Sequence, residues 1–142
     1  MFDDLYTARV LRLAADLPHR GRLAEPDASV EKTAKLCGSR VVVDVTVRDG
    51  RVTEFAQDVK ACALGQASAG ILGAGVIGAS VEDLEAARDA LRAMLKEGAP
   101  PPDGRFAELA VLAPVKDYPP RHASTLLAFE AAAEAARRAA AL

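Results

Sequence analysis

The chain has 142 residues, which suits one domain around one core and is short for two. Eighteen Lys and Arg against twenty Asp and Glu leave a net charge of -2, so no broad cationic field exists to hold nucleic acid. Hydrophobic residues make up 51% and charged residues 27%, a balance that buries a core and excludes a disordered tail.

Residues 3–17 place Leu5, Tyr6, Val10, Leu13, Ala14 and Leu17 at helical spacing, which predicts an amphipathic helix capped by Asp3 or Asp4 and ended by Pro18 and Gly21. Residues 18–29 read as a connector supplying turns rather than core. From Ser39 the period becomes two. Val41, Val43, Val45 and Val47 face one way and Val42, Asp44, Thr46 and Arg48 the other, as in a half-buried strand. Asp49-Gly50 supplies a turn with positive φ, and Val52, Thr53, Phe55 and Val59 suit an antiparallel return strand. Residues 30–36 predict a third strand, placed at an edge by Glu31, Lys32 and Lys35.

Residues 61–81 carry no charge and are long enough to cross a bilayer. Gly65, Gln66, Ser68, Gly70, Gly73, Gly75, Gly78 and Ser80 dilute their apolar content, so the segment predicts a buried small-residue helix that another element approaches closely. A second helix follows over 81–96, with Ser80 as N-cap, Glu82 and Asp83 in its first turn, and Gly98 with three prolines to stop it. A short helix over 104–112, a loop over 114–120 and a final alanine-rich helix over 121–142 complete the chain. The expected fold is α+β, a small antiparallel sheet of about three strands packed against several helices. It divides into helix and connector (1–29), sheet (30–60) and helical part (61–142) of a single domain.

Three side chains stand out for chemistry. Cys62 falls where a strand ends and a helix begins, so backbone N–H groups and the helix dipole favour its thiolate. Cys37 precedes the first long strand, and Gly38 lets the backbone turn beside the sulfur. Pairing the intervening hairpin returns the chain, so both thiols can reach the same end of the sheet. His122 opens the last helix and is a candidate metal ligand through its neutral imidazole. His19 lies in the connector without cysteines or carboxylates around it. Two inert buried cysteines are the plainer alternative. With only two cysteines and no leader read before them, a disulfide-stapled secreted scaffold is not expected, and a reducing cytoplasm is. No paired carboxylates suited to acid–base work and no phosphate-binding glycine loop were found, so an enzyme is not expected.

Leu-Cys-Gly-Ser at 36–39, Ala-Cys-Ala-Leu-Gly-Gln-Ala-Ser at 61–68, Ser-Val-Glu-Asp-Leu-Glu at 80–85, Leu-Ala-Pro-Val-Lys at 112–116 and Arg-His-Ala-Ser-Thr-Leu at 121–126 occur in one order. Over residues 35–136 this order resembles the IscU/NifU/SufU family of iron-sulfur cluster assembly scaffolds. The resemblance implies a compact α+β fold in which three loop cysteines and an aspartate gather at one end. It also implies a protein that takes sulfur from a cysteine desulfurase, builds a cluster and passes it to acceptor proteins; other members bind zinc. Ser39 stands where that pattern has the aspartate, and Ala123 where it has the third cysteine.

The ligand set implied for this chain is therefore Cys37, Cys62 and His122, short of the four that a closed zinc or [2Fe-2S] site takes. The cofactor expected is an Fe-S cluster or iron, with zinc as the other metal. Three arrangements fit: a homodimer sharing four thiolates, one metal on Cys37, Cys62 and His122 with an open position, or a metal-free adaptor or sulfur acceptor for the desulfurase. A thiol redox protein with a reversible Cys37–Cys62 disulfide is the alternative from another class.

Overall fold

The computed structural model describes residues 5–142. Helix α1 (Ala8–Ala15) leads through a connector to strands β1 (Ala28–Ala34), β2 (Ser39–Arg48) and β3 (Arg51–Lys60). Helices α2 (Ala63–Gly75) and α3 (Val81–Glu97), a 3-10 segment (Gly104–Asp117), a single 3-10 turn (Pro119–Arg121) and α4 (His122–Ala140) follow. The sheet is antiparallel in the order β1-β2-β3, so the α+β expectation holds, and the edge strand expected over 30–36 is found at Ala28–Ala34. Asp49 and Gly50 turn the hairpin with φ of 55° and 77°.

Local signals and observed boundaries agree closely in α3. Ser80 and Asp83 form a reciprocal capping box, and Gly98 closes the helix in the left-handed conformation. The expected caps Asp3 and Asp4 lie outside the described residues; α1 begins at Ala8, where the Thr7 hydroxyl accepts from the Val10 N–H at 3.2 Å. Residues 114–120 are not a loop. The 3-10 segment runs on through Pro114 to Asp117 because Leu109, Leu112 and Val115 are all buried in the core, which holds this stretch coiled.

Strand β2 is buried on both faces, not one. Its second face carries Asp44, fully buried, and the connector lies over it: Arg22 donates two hydrogen bonds to the carboxylate (2.7 and 3.0 Å), Leu23 N–H a third (2.9 Å) and Ser29 a fourth (2.6 Å). The connector also runs beside β3, where Gln57 N–H donates to the His19 carbonyl and Gly21 N–H to the Gln57 carbonyl. His19 packs edge-on against Phe55, with centroids 6.0 Å apart. A carboxylate buried with four donors organises the turns the sequence left unassigned.

Helix α4 crosses the other face of the sheet, packing on β1 and β2 while α2 and α3 pack on α4. Its alanines make this possible: Ala131, Ala132, Ala133, Ala135 and Ala136 are fully buried around Phe129, so three elements approach one helix closely. Helix α2 is buried nearly all round, as its missing charges imply. A Cβ at Gly70 would lie 2.5 Å from the Leu13 carbonyl oxygen, so α1 seats directly on the α2 backbone. No described helix is long and apolar enough to cross a membrane.

Candidate functional site

The β2–β3 register pairs Arg40 with Lys60, and the β1–β2 register pairs Ala34 with Ser39. These two ladders end at the same edge of the sheet. Cys37 sits in the turn just outside one and Cys62 just beyond the other, so the hairpin brings together residues far apart in the chain. Gly38, with φ of 69°, makes the β1–β2 turn. Cys62 is the N-cap of α2, in extended backbone with its side chain free of any capping bond, so the sulfur points into the site and not back to the helix.

Each thiol has a serine. Cys37 Sγ lies 3.1 Å from Ser39 Oγ, and Cys62 Sγ lies 3.5 Å from Ser124 Oγ. The Ser124 hydroxyl also helps to lower the pKa of Cys37, so it acts near both thiols while contacting the Cys62 sulfur. Ser39 and Ser124 are buried, while both cysteines are only partly so and are free thiols. The Ser39 hydroxyl holds the Cys37 thiol below its ordinary pKa; burial opposes this, and the Ser39 N–H, the Ser124 hydroxyl and the Cys37 N–H add to the lowering. The lowering makes the thiolate, the form that binds soft metals and attacks sulfur, easier to reach.

Nothing in the sequence marks Ser124; the resemblance points instead to Ala123, as the position lacking a ligand. Ala123 is exposed, and the side chain that meets the Cys62 sulfur is the next one along. A serine in the first turn of a helix carries no signal of what stands opposite; that is set by α2. A Cβ on Gly65 would lie 3.0 Å from the Ser124 carbonyl oxygen, so only glycine lets α4 come this near to the start of α2.

His122 is placed two residues before Ser124, but its ring is engaged by its own chain. Nε2 lies 2.9 Å from the Val115 carbonyl and 3.1 Å from that of Lys116, which makes it the protonated nitrogen. Nδ1 then accepts from Lys96 Nζ at 3.1 Å. The ring is buried and pins the end of the 3-10 segment to α4. Among the described residues, no three His, Cys, Asp or Glu side chains gather as a set able to hold a metal ion.

A model of the NifU-like N-terminal domain matches residues 5–125. The chain belongs to this family. The NifU-like relatives extend over nearly its whole length. A NifU-like N-terminal protein of Brucella abortus is 51% identical, covering 99% of this chain and 97% of its own, and its crystal structure superposes with a TM-score of 0.96. The iron-sulfur cluster assembly scaffold protein IscU of Thermotoga maritima is 25% identical over 138 residues, covering 97% of this chain and 96% of its own. The fold also matches a structure described as an iron-sulfur cluster assembly scaffold for the SUF system from Fervidobacterium islandicum, with a TM-score of 0.86 at 17% identity, covering 94% and 98%.

Proposed function

We propose that this protein is an iron-sulfur cluster assembly scaffold, not a catalyst, and that it carries iron or a cluster as transient cargo on Cys37 and Cys62. The observation carrying this is the placing of two partly exposed free thiols, each beside a buried serine, at one end of the sheet in a NifU-like domain. Thiolates are soft ligands suited to iron, and their partial exposure suits loading and release. A resident cofactor would be enclosed more deeply.

Two thiolates per chain leave a [2Fe-2S] cluster two ligands short. A homodimer sharing the cluster supplies four, and this is the arrangement we favour. His122 joins the ligand set only by giving up Lys96 at Nδ1. The sulfur comes from a cysteine desulfurase and the cluster goes to acceptor proteins, in a reducing compartment such as the cytoplasm, where both thiols stay free.

Anaerobic reconstitution with iron and sulfide, followed by iron and acid-labile sulfide analysis and native mass measurement, tests this. One cluster per two chains, lost in Cys37→Ala and in Cys62→Ala, is expected. Zinc retained in place of iron points to the zinc-binding members of the family. A purified chain that takes up no metal and cycles between dithiol and disulfide defeats the proposal in favour of thiol redox chemistry.

A further inference from the structure

Helices α3 and α4 are tied together by ion pairs around an open groove of about 490 Å³, and the cations lining it outnumber the carboxylates. Arg137 of α4 places two hydrogen bonds on Glu85 of α3, at 3.0 and 2.6 Å, and Arg92 of α3 places one on Glu130 of α4, at 3.1 Å. Lys32 of β1 and Arg138 of α4 share Glu134. Arg88 has no carboxylate inside the groove, because its Nε donates to Asp89, its neighbour on α3, at 2.9 Å. Five cations thus line the groove with three carboxylates, an excess of two in a chain whose net charge is -2. Asp89 and Glu82 also reach Arg92 and Arg137, at 3.5 and 3.6 Å, but they stand outside the lining at 58% and 75% exposure, where water screens them.

The carboxylates act as struts. Each guanidinium carries more N–H donors than its ion pair uses, so the pairs hold the planar groups in place while further donors remain for a ligand. Such donors suit oxyanions, which they bind in bidentate fashion. The groove has the volume of a small-molecule site, yet no aromatic side chain lines it and Ala133 is its one aliphatic residue, so charge is what it offers a ligand. The surplus is divided between elements, with Arg88 on α3 and the pair Lys32 and Arg138 on β1 and α4, which favours an anion charged at more than one point. Residues 130–138 lie about 9 to 21 Å along α4 from Ser124, at about 1.5 Å per residue, so the groove is separate from the thiols.

We propose that the groove between α3 and α4 is a second binding site, for a small phosphate-bearing anion held between Arg88 and the pair Lys32 and Arg138. It uses neither thiol, and it stands or falls apart from the scaffold function.

Calorimetric titration of the reduced full-length protein with inorganic pyrophosphate tests it, with orthophosphate and adenosine diphosphate run in parallel to tell a free anion from a nucleotide. Saturable binding of one ligand per chain is expected from at least one of the three. Arg88→Gln should weaken that binding about tenfold, the scale of one hydrogen bond to a charged group. It should leave the fold intact, since the partner it loses is the adjacent, exposed Asp89. Glu130→Gln should tighten binding about threefold, because it removes a competing anion and loosens the hold on Arg92. An ion-pair network that serves only to clamp the helices gives no such gain. Lys60→Gln removes an exposed cation at the end of β3, away from the groove lining, and should leave the affinity unchanged. No saturable heat with any of the phosphates overturns the proposal, and so does equal weakening in Arg88→Gln and Lys60→Gln, which reduces the effect to net charge. A glutamate-rich peptide that binds where the phosphates do not also overturns it, and makes the groove a protein-docking surface.

Discussion

Gly65 and Ser124 meet backbone to backbone: a Cβ on Gly65 would lie 3.0 Å from the Ser124 carbonyl oxygen and 2.8 Å from Ala61 Cβ. This contact sets the distance between the N-terminus of α2, where Cys62 sits, and the first turn of α4, where Ser124 sits. The small-residue character of α2 is thus tied to the site as well as to packing.

Gly65→Ala should therefore destabilise the protein. Alanine gains close to 1 kcal/mol over glycine in a helix interior, but overpacking against backbone costs about 1–3 kcal/mol, and here the neighbour is a carbonyl that cannot swing aside. A net loss of about 1 kcal/mol in urea unfolding is expected. Lower iron uptake in reconstitution should accompany it, because α4 is pushed away from Cys62. Unchanged stability and binding would show that α4 relaxes freely.

Ser39→Ala should raise the pKa of the Cys37 thiol. The Ser39 hydroxyl is the largest influence holding it down, ahead of the opposing effect of burial. The pH profile of iodoacetamide labelling at Cys37, read by peptide mass spectrometry, should shift to higher pH in the variant. A profile that stays in place assigns the lowering to the backbone N–H groups instead.

Asp44→Asn should cost about 3 kcal/mol, since it leaves a buried site built for an anion facing three N–H donors and a hydroxyl. Burial pushes the Asp44 carboxyl up, but Arg22, Ser29 and the Leu23 N–H together outweigh it and hold the pKa below the ordinary value. The sign follows: with a folded pKa below the unfolded one, this stabilisation is complete above about pH 4 and is lost as pH falls through the folded value. Urea midpoints measured from pH 7 to pH 2 should fall less steeply in the variant than in the wild type.

His122→Ala should destabilise the fold by about 2 kcal/mol by leaving the Val115 and Lys116 carbonyls without their buried donor. Metal bound per folded chain should be retained. Loss of metal in a variant whose near-native stability is shown by melting would place His122 among the ligands.

Much of the architecture was legible one segment at a time. The alternating valines of β2, the Asp49-Gly50 turn and the Ser80–Asp83 box each act within a few residues, so their local energetics are written into neighbouring side chains. Residues 114–120 misled because three prolines and a tyrosine resemble a loop, whereas burial of Val115 and Leu112 keeps the stretch coiled. Asp44 misled for a related reason. An aspartate on an alternating strand reads as solvent-facing until Arg22, 22 residues away in the chain, closes over it.

By itself the sequence determined the strands, the capped helices, the convergence of Cys37 and Cys62 through a hairpin and the likeness to cluster scaffolds, because periodicity, turn chemistry and short motifs are properties of adjacent residues. Tertiary structure alone decided that Ser124 and not Ala123 faces the Cys62 sulfur, that His122 is held by Lys96 and two carbonyls, and that β2 is covered twice. Those outcomes depend on which backbone comes within hydrogen-bond reach across a packed core. For Cys62 and Ser124 that reach spans 62 residues of chain, and it exists because residue 65 has no side chain to prevent it.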